Sequence, residues 1–300
     1  MPEEGINYVA RQQLLTYEEM LRLISLLSYH GVKKVRITGG EPFLRKGLMD
    51  FLGQIKKSSA VDQLYITTNG TLNYNDIANF SDTGIDGVNL SLDSIDKERF
   101  QQITRRDDLD KVLQTLDELM RHDIKTKINA VVMNGKNIDD IGPMIELTKE
   151  MPISVRFLEE MPFNGTGEHD GLATWNHLNI LELISTLYPN LIRIETPANS
   201  TASLYHVPGY KGNIGIIASY SRTFCGSCDR LRITPTGLIK TCLYDSGVMN
   251  IKDIMRAGAS DEQLITAIQS AINHRAKDGW EAAAARPSSG ISESMATIGG

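Results

Sequence analysis

Cys225, Cys228 and Cys242 are the only cysteines among the 300 residues, and they form one C-x2-C-x13-C set. Three thiolates hold three irons of a [4Fe-4S] cluster and leave the fourth iron open to a substrate. Zinc is the competing ion. Its structural sites are closed by four ligands, so here it would borrow a fourth from Asp229, Asp245 or His206. A disulfide fits least, because two intervening residues make a strained loop and one thiol is left over. Directly after Cys228 the chain reads Asp229-Arg230-Leu231-Arg232-Ile233-Thr234. Alternate residues of an extended segment share a face, so Arg230 and Arg232 project together, and two guanidiniums beside a metal group suit bidentate binding of phosphate or a polar base edge. Without the cysteines the same pair would read as a solvated strand face.

A second set of polar signals follows strand-like runs. The run over 35–38 stops at Gly39-Gly40-Glu41-Pro42, the run over 64–68 ends in Thr67-Thr68 before Asn69-Gly70, the run over 88–92 ends in Ser91-Leu92-Asp93, and the run over 153–158 leads into Glu159-Glu160-Met161. In parallel α/β folds the loops after the strands form the site, because strand-end side chains and helix N-termini converge there. A glycine pair lets a ligand approach the backbone, and Glu41 offers an acceptor for an ammonium group. On its own G-G-E-P is equally an ordinary turn. The six histidines form no H-x3-H pair and read as surface or core residues, and no G-x4-G-K-[S/T] loop is present for P-loop hydrolysis.

The elements that must position these residues follow from periodicity. Thr16-x-x-Glu19 is a capping box, followed by Met20, Leu23, Ile24 and Leu27 at helical spacing and by Gly31 as a stop. Another helix is predicted over 110–121, with Val112, Leu113, Leu116 and Leu119 on one side, and a further strand over 128–133. Repeated βα units imply a parallel sheet, open or curved into a barrel. From Asn190 onward turns and short β-like runs take over, a helix is expected over 261–273, and the small, polar composition of 286–300 predicts a mobile tail. The expected division is 1–190 for the α/β part and 191–300 for a C-terminal domain carrying the cysteines. A net charge of -6 and a pI near 5.6 exclude nucleic acid as a general partner. No apolar run approaches the roughly 18 residues that cross a bilayer, and the start has neither a basic nor an apolar leader. The expectation is a cytoplasmic protein without a membrane partner.

Taken together, G-G-E-P, T-T-N-G, S-L-D, R-F-L-E-E-M-P and F-C-G-S-C-D-R-L-R-I-T-P-T-G-L-I-K-T-C-L resemble the GTP 3′,8-cyclases of molybdenum-cofactor biosynthesis (MoaA family), radical S-adenosylmethionine enzymes. The resemblance spans the chain and is most specific over 224–243. It implies an incomplete (β/α) TIM-type barrel of the radical S-adenosylmethionine type with a C-terminal iron-sulfur domain. It further implies a lyase that converts GTP to (8S)-3′,8-cyclo-7,8-dihydroguanosine 5′-triphosphate, the first step of molybdopterin synthesis. Cys225, Cys228 and Cys242 would hold an auxiliary [4Fe-4S] cluster; Arg36, Thr67, Lys127, Arg230, Leu231 and Arg232 would contact GTP; Gly40, Ser91 and Met161 would contact S-adenosylmethionine. The implied partners are GTP, a second copy in a homodimer, and the downstream enzyme that forms the cyclic pyranopterin.

One departure sets a further expectation. Members of the family begin with a strand and a C-x3-C-x2-C loop for the catalytic cluster, often followed by Met-Pro, and this chain starts at Met1-Pro2. The expectation is a misassigned or partial start in an intact gene, with a second [4Fe-4S] cluster only in the longer protein and no S-adenosylmethionine cleavage by the chain as written. The alternatives are another radical enzyme with an auxiliary cluster, acting on a peptide, and a non-catalytic protein that binds GTP and one cluster. Anaerobic reconstitution should load about four irons and matching sulfide per chain, one cluster's worth. One zinc and no sulfide would remove the cluster reading.

Overall fold

Alternation along the strands decides which way this sheet faces. The structure, a computed structural model, describes residues 9–72, 75–163, 175–197, 199–286 and 293–298, excluding the side chains of Ala296 and Thr297. The start at 1–5 and the pair Gly299-Gly300 lie outside them. Eight strands form one sheet: β1 (Lys34–Ile37), β2 (Gln63–Thr68), β3 (Gly87–Ser91), β4 (Thr126–Val132), β5 (Ser154–Glu159), β6 (Ile192–Ile194), β7 (Ser203–His206) and β8 (Asn213–Ile217). Their order is β1-β2-β3-β4-β5-β8-β7-β6, parallel from β1 to β8, with β7 and β6 antiparallel at the far edge. Helix α1 (Tyr17–Tyr29) precedes β1. The crossovers carry α2 (Leu48–Ser58), α3 (Phe80–Thr83), the pair α4 (Lys97–Thr104) and α5 (Leu109–Arg121), α6 (Ile141–Glu150) and α7 (His177–Leu187). The predicted capping box at Thr16 and Glu19 is formed.

Every second strand residue is buried against those helices. Leu64, Ile66, Val88, Leu90, Ile128, Val155, Phe157 and Ile214 are at most 1% exposed. Each such side chain contributes about 1.5–3 kcal/mol by leaving water. The opposite parity is polar. Ladder partners there run Thr67, Asn89, Lys127, Ser154 across β2 to β5, and one step further along, Ser91, Asn129, Arg156 across β3 to β5. The result is a partial (β/α) barrel with an apolar outer layer and a polar concave face. The sheet continues past residue 190, since β6, β7 and β8 extend it beyond β5. The change in sequence character at Asn190 marks a switch from βα units to a hairpin within one sheet.

The remaining residues close back onto the beginning of the chain. A small antiparallel sheet, β9 (Arg232–Ile233), β10 (Leu238–Lys240) and β11 (Met249–Asn250), is followed by α8 (Ile251–Arg256), α9 (Asp261–Asn273), α10 (Gly279–Ala284) and α11 (Met295–Ile298). Ile239, Ile251, Met255, Leu264 and Ile268 form one apolar cluster with Leu15 and Leu23. At its rim Arg256 pairs with Glu19 at 2.7 Å and Arg22 with Asp261 at 2.7 Å. Exposed pairs of this kind add little, so the apolar contact is what joins the two ends of the chain. The tail is not loose where it is described. Lys240 is 0% exposed and donates to both oxygens of Glu293 at 3.1 Å, Arg286 pairs with Glu293 at 2.7 Å, and Ile298 is 4% exposed. A buried lysine needs a partner, and composition alone did not register that the tail supplies it.

Glu159 at the end of β5 holds three segments together. It is 1% exposed and accepts hydrogen bonds from His177 N (2.7 Å), Tyr220 N (2.8 Å), Ser221 N (2.6 Å) and Ser221 Oγ (2.7 Å), with His177 Nδ1 at 2.8 Å. Burial would raise this carboxyl, but the hydrogen bonds from Ser221 and His177 outweigh it and hold it below its ordinary 4.5. A depressed carboxyl stabilises fully above its ordinary value and loses that contribution as pH falls through its folded value. Glu159→Ala strands several buried donors and should cost about 3 kcal/mol or more in urea unfolding at neutral pH. The gap to the unaltered chain should narrow as the solution is acidified. An unchanged unfolding midpoint would contradict the anchoring role.

Candidate functional site

The concave face gathers positive charge without pairing it. Arg36 on β1, Lys127 on β4 and Arg156 on β5 line it, Lys34 flanks it, and Arg230 and Arg232 approach from the small sheet. None of the six forms an ion pair with a described carboxylate. They act on one another instead. Arg36 is exposed by surface area but enclosed by the cleft walls; that crowding, then the charges of Arg156 and Arg230, lower its pKa to about 10. Arg232 falls to about 10, chiefly by burial and then by Arg230. Burial, followed by Arg156, Lys34, Arg36 and Lys125, takes Lys127 to about 7. Arginines at these values stay charged at neutral pH, whereas Lys127 is half neutral.

Tyr65 separates the two lysines. Lys34 Nζ lies 4.5 Å and Lys127 Nζ 5.1 Å from its ring centroid, and the ring is 3% exposed. Gly87 makes room for it, since a Cβ there would meet Tyr65 Cε1 at 2.7 Å and Lys125 O at 2.6 Å. Beside these cations sit three buried polar oxygens that lack a hydrogen-bond partner among the described residues: Thr67 Oγ1, Asn89 Oδ1 and Asn129 Oδ1. All three are on the concave parity of adjacent strands. Orphaned buried polar atoms are rare in folded proteins, and three neighbours on one face mark a surface made for a polar ligand.

The three thiols are free and half-buried on two segments, the turn Cys225–Ser227 with Cys228, and the residues after β10 that contain Cys242. Burial raises the Cys228 thiol, but the charge of Arg230 and hydrogen bonds from Arg230 and Arg275 outweigh it, and the net shift is downward. Arg230 Nε lies 3.2 Å from Cys228 Sγ. Burial pushes Cys242 up, and Asp245, Cys225 and Cys228 act in the same direction. Each proposed fourth zinc ligand is engaged elsewhere. Asp229 accepts from Asn199 Nδ2 at 2.7 Å, Asp245 accepts from the Thr241, Cys242 and Gly247 amides, each at 2.8 Å, and His206 Nδ1 lies 3.2 Å from Gly212 O. No set of three His, Cys, Asp or Glu side chains among the described residues is gathered as a single ion requires. Three thiols without a fourth donor fit a [4Fe-4S] cluster with one open iron. Arg222 Nε, buried and orphaned beside Cys225, is a donor that cluster sulfur could satisfy.

Of the residues singled out by sequence, Arg36, Thr67, Lys127, Arg230 and Arg232 converge on this cleft. Gly40 and Ser91 are exposed after β1 and at the end of β3. Met161 packs beside Phe163, Tyr244 and Cys242. Leu231 turns its side chain into the apolar cluster with Leu23 and Ile239, which leaves only its backbone to face a ligand. Glu41 is not a free acceptor: it takes hydrogen bonds from Thr68 Oγ1 (2.9 Å), Asn69 N (2.8 Å) and Phe43 N (3.1 Å), and so ties the G-G-E-P loop to the T-T-N-G loop. Sequence reasoning passed over Lys34, Tyr65, Asn89, Asn129 and Arg156. Their signal was a polar residue at every second place of an otherwise apolar strand, as in Thr126-Lys127-Ile128-Asn129-Ala130.

The model of the radical S-adenosylmethionine superfamily matches residues 5–148, which carry the parallel strands β1 to β4 of the partial barrel. A second family model, Molybdenum Cofactor Synthesis C, matches 153–280. A GTP 3′,8-cyclase of Clostridium perfringens is 36% identical over 273 residues, covering 91% of this chain and 84% of the relative. The chain belongs to the GTP 3′,8-cyclase family of molybdenum-cofactor synthesis. Molybdenum cofactor biosynthesis protein 1 of Dictyostelium discoideum is 38% identical over 91% of this chain and 44% of its own length, and that of Drosophila melanogaster 36% identical over 94% and 50%. The chain thus spans about half the length of these curated relatives. The fold is shared with SuiB of Streptococcus suis, crystallised with S-adenosylmethionine, at a TM-score of 0.55 and 15% identity over 85% of this chain and 61% of that one. Among the described residues no helix is long and apolar enough to cross a membrane.

Lys127 offers a direct test of the crowded face. Carbon-13 NMR of labelled lysines should show one resonance titrating near pH 7, lost in Lys127→Met and moved upward when sulfate fills the cleft. Because the folded value of about 7 lies below the ordinary 10.5, the charged form destabilises the fold below pH 7, and the penalty fades between 7 and 10.5. Lys127→Met should therefore melt higher than the unaltered chain at pH 6 and lose that advantage as pH rises. Ordinary titration of every lysine would refute the assignment.

Proposed function

We propose that this chain binds GTP between the concave sheet face and the three-cysteine segment, as part of an enzyme that cyclises GTP to (8S)-3′,8-cyclo-7,8-dihydroguanosine 5′-triphosphate. The observation that carries the proposal is the cation set Lys34, Arg36, Lys127 and Arg156, unpaired with any described carboxylate and adjoining the orphaned oxygens of Thr67, Asn89 and Asn129. Four cations suit a triphosphate. Arg230 and Arg232, next to Cys228, would bind the opposite end of the nucleotide and orient the guanine toward the open iron of an auxiliary [4Fe-4S] cluster on Cys225, Cys228 and Cys242. Gly40, Ser91 and Met161 would contact S-adenosylmethionine, which in this family, together with its own cluster, supplies the radical that takes the 3′-hydrogen of the ribose. All three cysteines of these 300 residues are in the C-terminal set, so the part assigned to this chain's own residues is holding and orienting GTP. Positioning of this kind matters because one hydrogen must be met among several similar ones. A homodimer and a downstream enzyme that consumes the product belong to the same proposal.

Calorimetric titration with GTP, with iron content assayed in parallel, tests it. Arg230→Ala and Arg232→Ala should each weaken GTP binding by about 1.5–3 kcal/mol with the iron content unchanged, the range for losing a charge-assisted hydrogen bond to a buried partner. Lysine at either position should restore only part, since a point charge lacks the bidentate fork. Full GTP affinity in both alanine variants, with iron intact, would sink the assignment.

A further inference from the structure

Arg222 lies three residues before Cys225 and is 7% exposed. Its guanidinium carbon sits 3.5 Å from the centroid of the Tyr244 ring and 4.0 Å from that of Trp280, so the charge is held between two aromatic faces. One terminal nitrogen donates to Gly279 O, and Nε has no partner among the described atoms. No described carboxylate forms an ion pair with it; Asp278 feels its charge but uses its side chain to accept from the Trp280 and Glu281 amides. Its backbone is left-handed, at φ 56°, a conformation costly for a long side chain and kept where the surroundings fix it. Gly279 shows what it adjoins. A Cβ there would lie 2.9 Å from Arg222 Cδ and 3.3 Å from Cys225 Sγ, so the arginine stem and the thiol face each other across the glycine. A buried cation with an unused donor beside a thiol needs an acceptor of negative character.

We propose that Arg222 is a positioning residue that raises the reduction potential of the [4Fe-4S] cluster held by Cys225, Cys228 and Cys242, its Nε–H donating to a cluster sulfur. The proposal rests on the cluster reading given above. Adding an electron makes the cluster more negative, and a nearby fixed cation with a hydrogen bond to sulfur stabilises that state over the oxidised one. Tyr244 and Trp280 keep water from screening the charge.

The test is a redox titration with dithionite under anaerobic conditions, following the cluster by electron paramagnetic resonance, with iron and sulfide assayed on each sample. Arg222→Met should keep its iron and sulfide while its midpoint falls by at least 59 mV, a tenfold change in a one-electron equilibrium. Arg222→Lys, which keeps the charge without the Nε donor, should fall less. Trp280 is 53% exposed, so Trp280→Ala leaves the core intact, admits water to the guanidinium and should lower the midpoint by a smaller amount. If Arg222→Met holds no cluster, Trp280→Ala decides: a lowered midpoint supports the proposal and an unchanged one overturns it. A loaded Arg222→Met sample with the midpoint of the unaltered chain overturns it directly. Absence of sulfide from the unaltered chain is a different result, which removes the cluster reading and this proposal together.

Discussion

Uncompensated positive charge on one face of the sheet is the constraint on which the rest of this structure depends. Burial lowers Arg36, Lys127 and Arg156, and the charge of Arg156 adds to the effect at Arg36 and Lys127. Such a face is unfavourable by itself, and no described carboxylate forms an ion pair with it, although Asp229 acts on Lys34 from a distance. What holds it in place is the other parity of the same strands, where Leu64, Val88, Ile128, Val155 and Phe157 are buried against the helices. The alternation that makes the core therefore also fixes the cations, and neither can shift without turning the other to the wrong side. A polyanion in the cleft would remove the repulsion and meet the orphaned oxygens in one step. Binding of such an anion would be linked to fold stability through the same residues.

The cleft also needs its second wall, and apolar packing far from the chemistry provides it. Arg232 is in the first strand of the small sheet, whose middle strand puts Ile239 into the cluster around Leu15 and Leu23. Leu15 N donates to Pro235 O at 2.8 Å, and Lys252 Nζ to Gln13 O at 2.9 Å, so the segment before α1 is bonded to the loop and helix that flank this sheet. Arg36 follows α1 by one short connection. The charge of Arg36 and that of Arg232 consequently act on each other although nearly two hundred residues separate them. Glu159 does similar work at the end of β5, where it fixes the residues that lead from β8 toward the cysteines.

Much of this was legible before any coordinates. The βα alternation, the capping box at Thr16 and the helix over Asp261–Asn273 all follow from local rules, and the structure has them. What escaped was non-local. Glu41 looked free because its three donors, Thr68, Asn69 and Phe43, belong partly to another loop. The tail looked mobile because its composition is poor, but the buried Lys240 that Glu293 satisfies lies more than fifty residues upstream. Arg156 was visible as a charged residue in an apolar strand, and only the ladder from Asn129 to Arg156 reveals that it joins the same face as Lys127.

The choice of cation across the face follows from the crowding itself. A guanidinium retains its charge even when burial and neighbours pull it down to about 10, so Arg36 and Arg232 stay available to an anion at any physiological pH. An ammonium in the same surroundings gives up its proton, and Lys127, at about 7, does so partly. The mixture lets the face shed part of a charge that it would otherwise hold against Arg156, Lys34, Arg36 and Lys125, while an arriving anion would draw that proton back onto Lys127. Tyr65 assists by presenting its ring to Lys34 and Lys127, an attraction that weakens but does not vanish when one lysine is neutral. A face built only of arginines would bear its full repulsion whenever it was empty, and one built only of lysines would lose much of its charge before the ligand arrived.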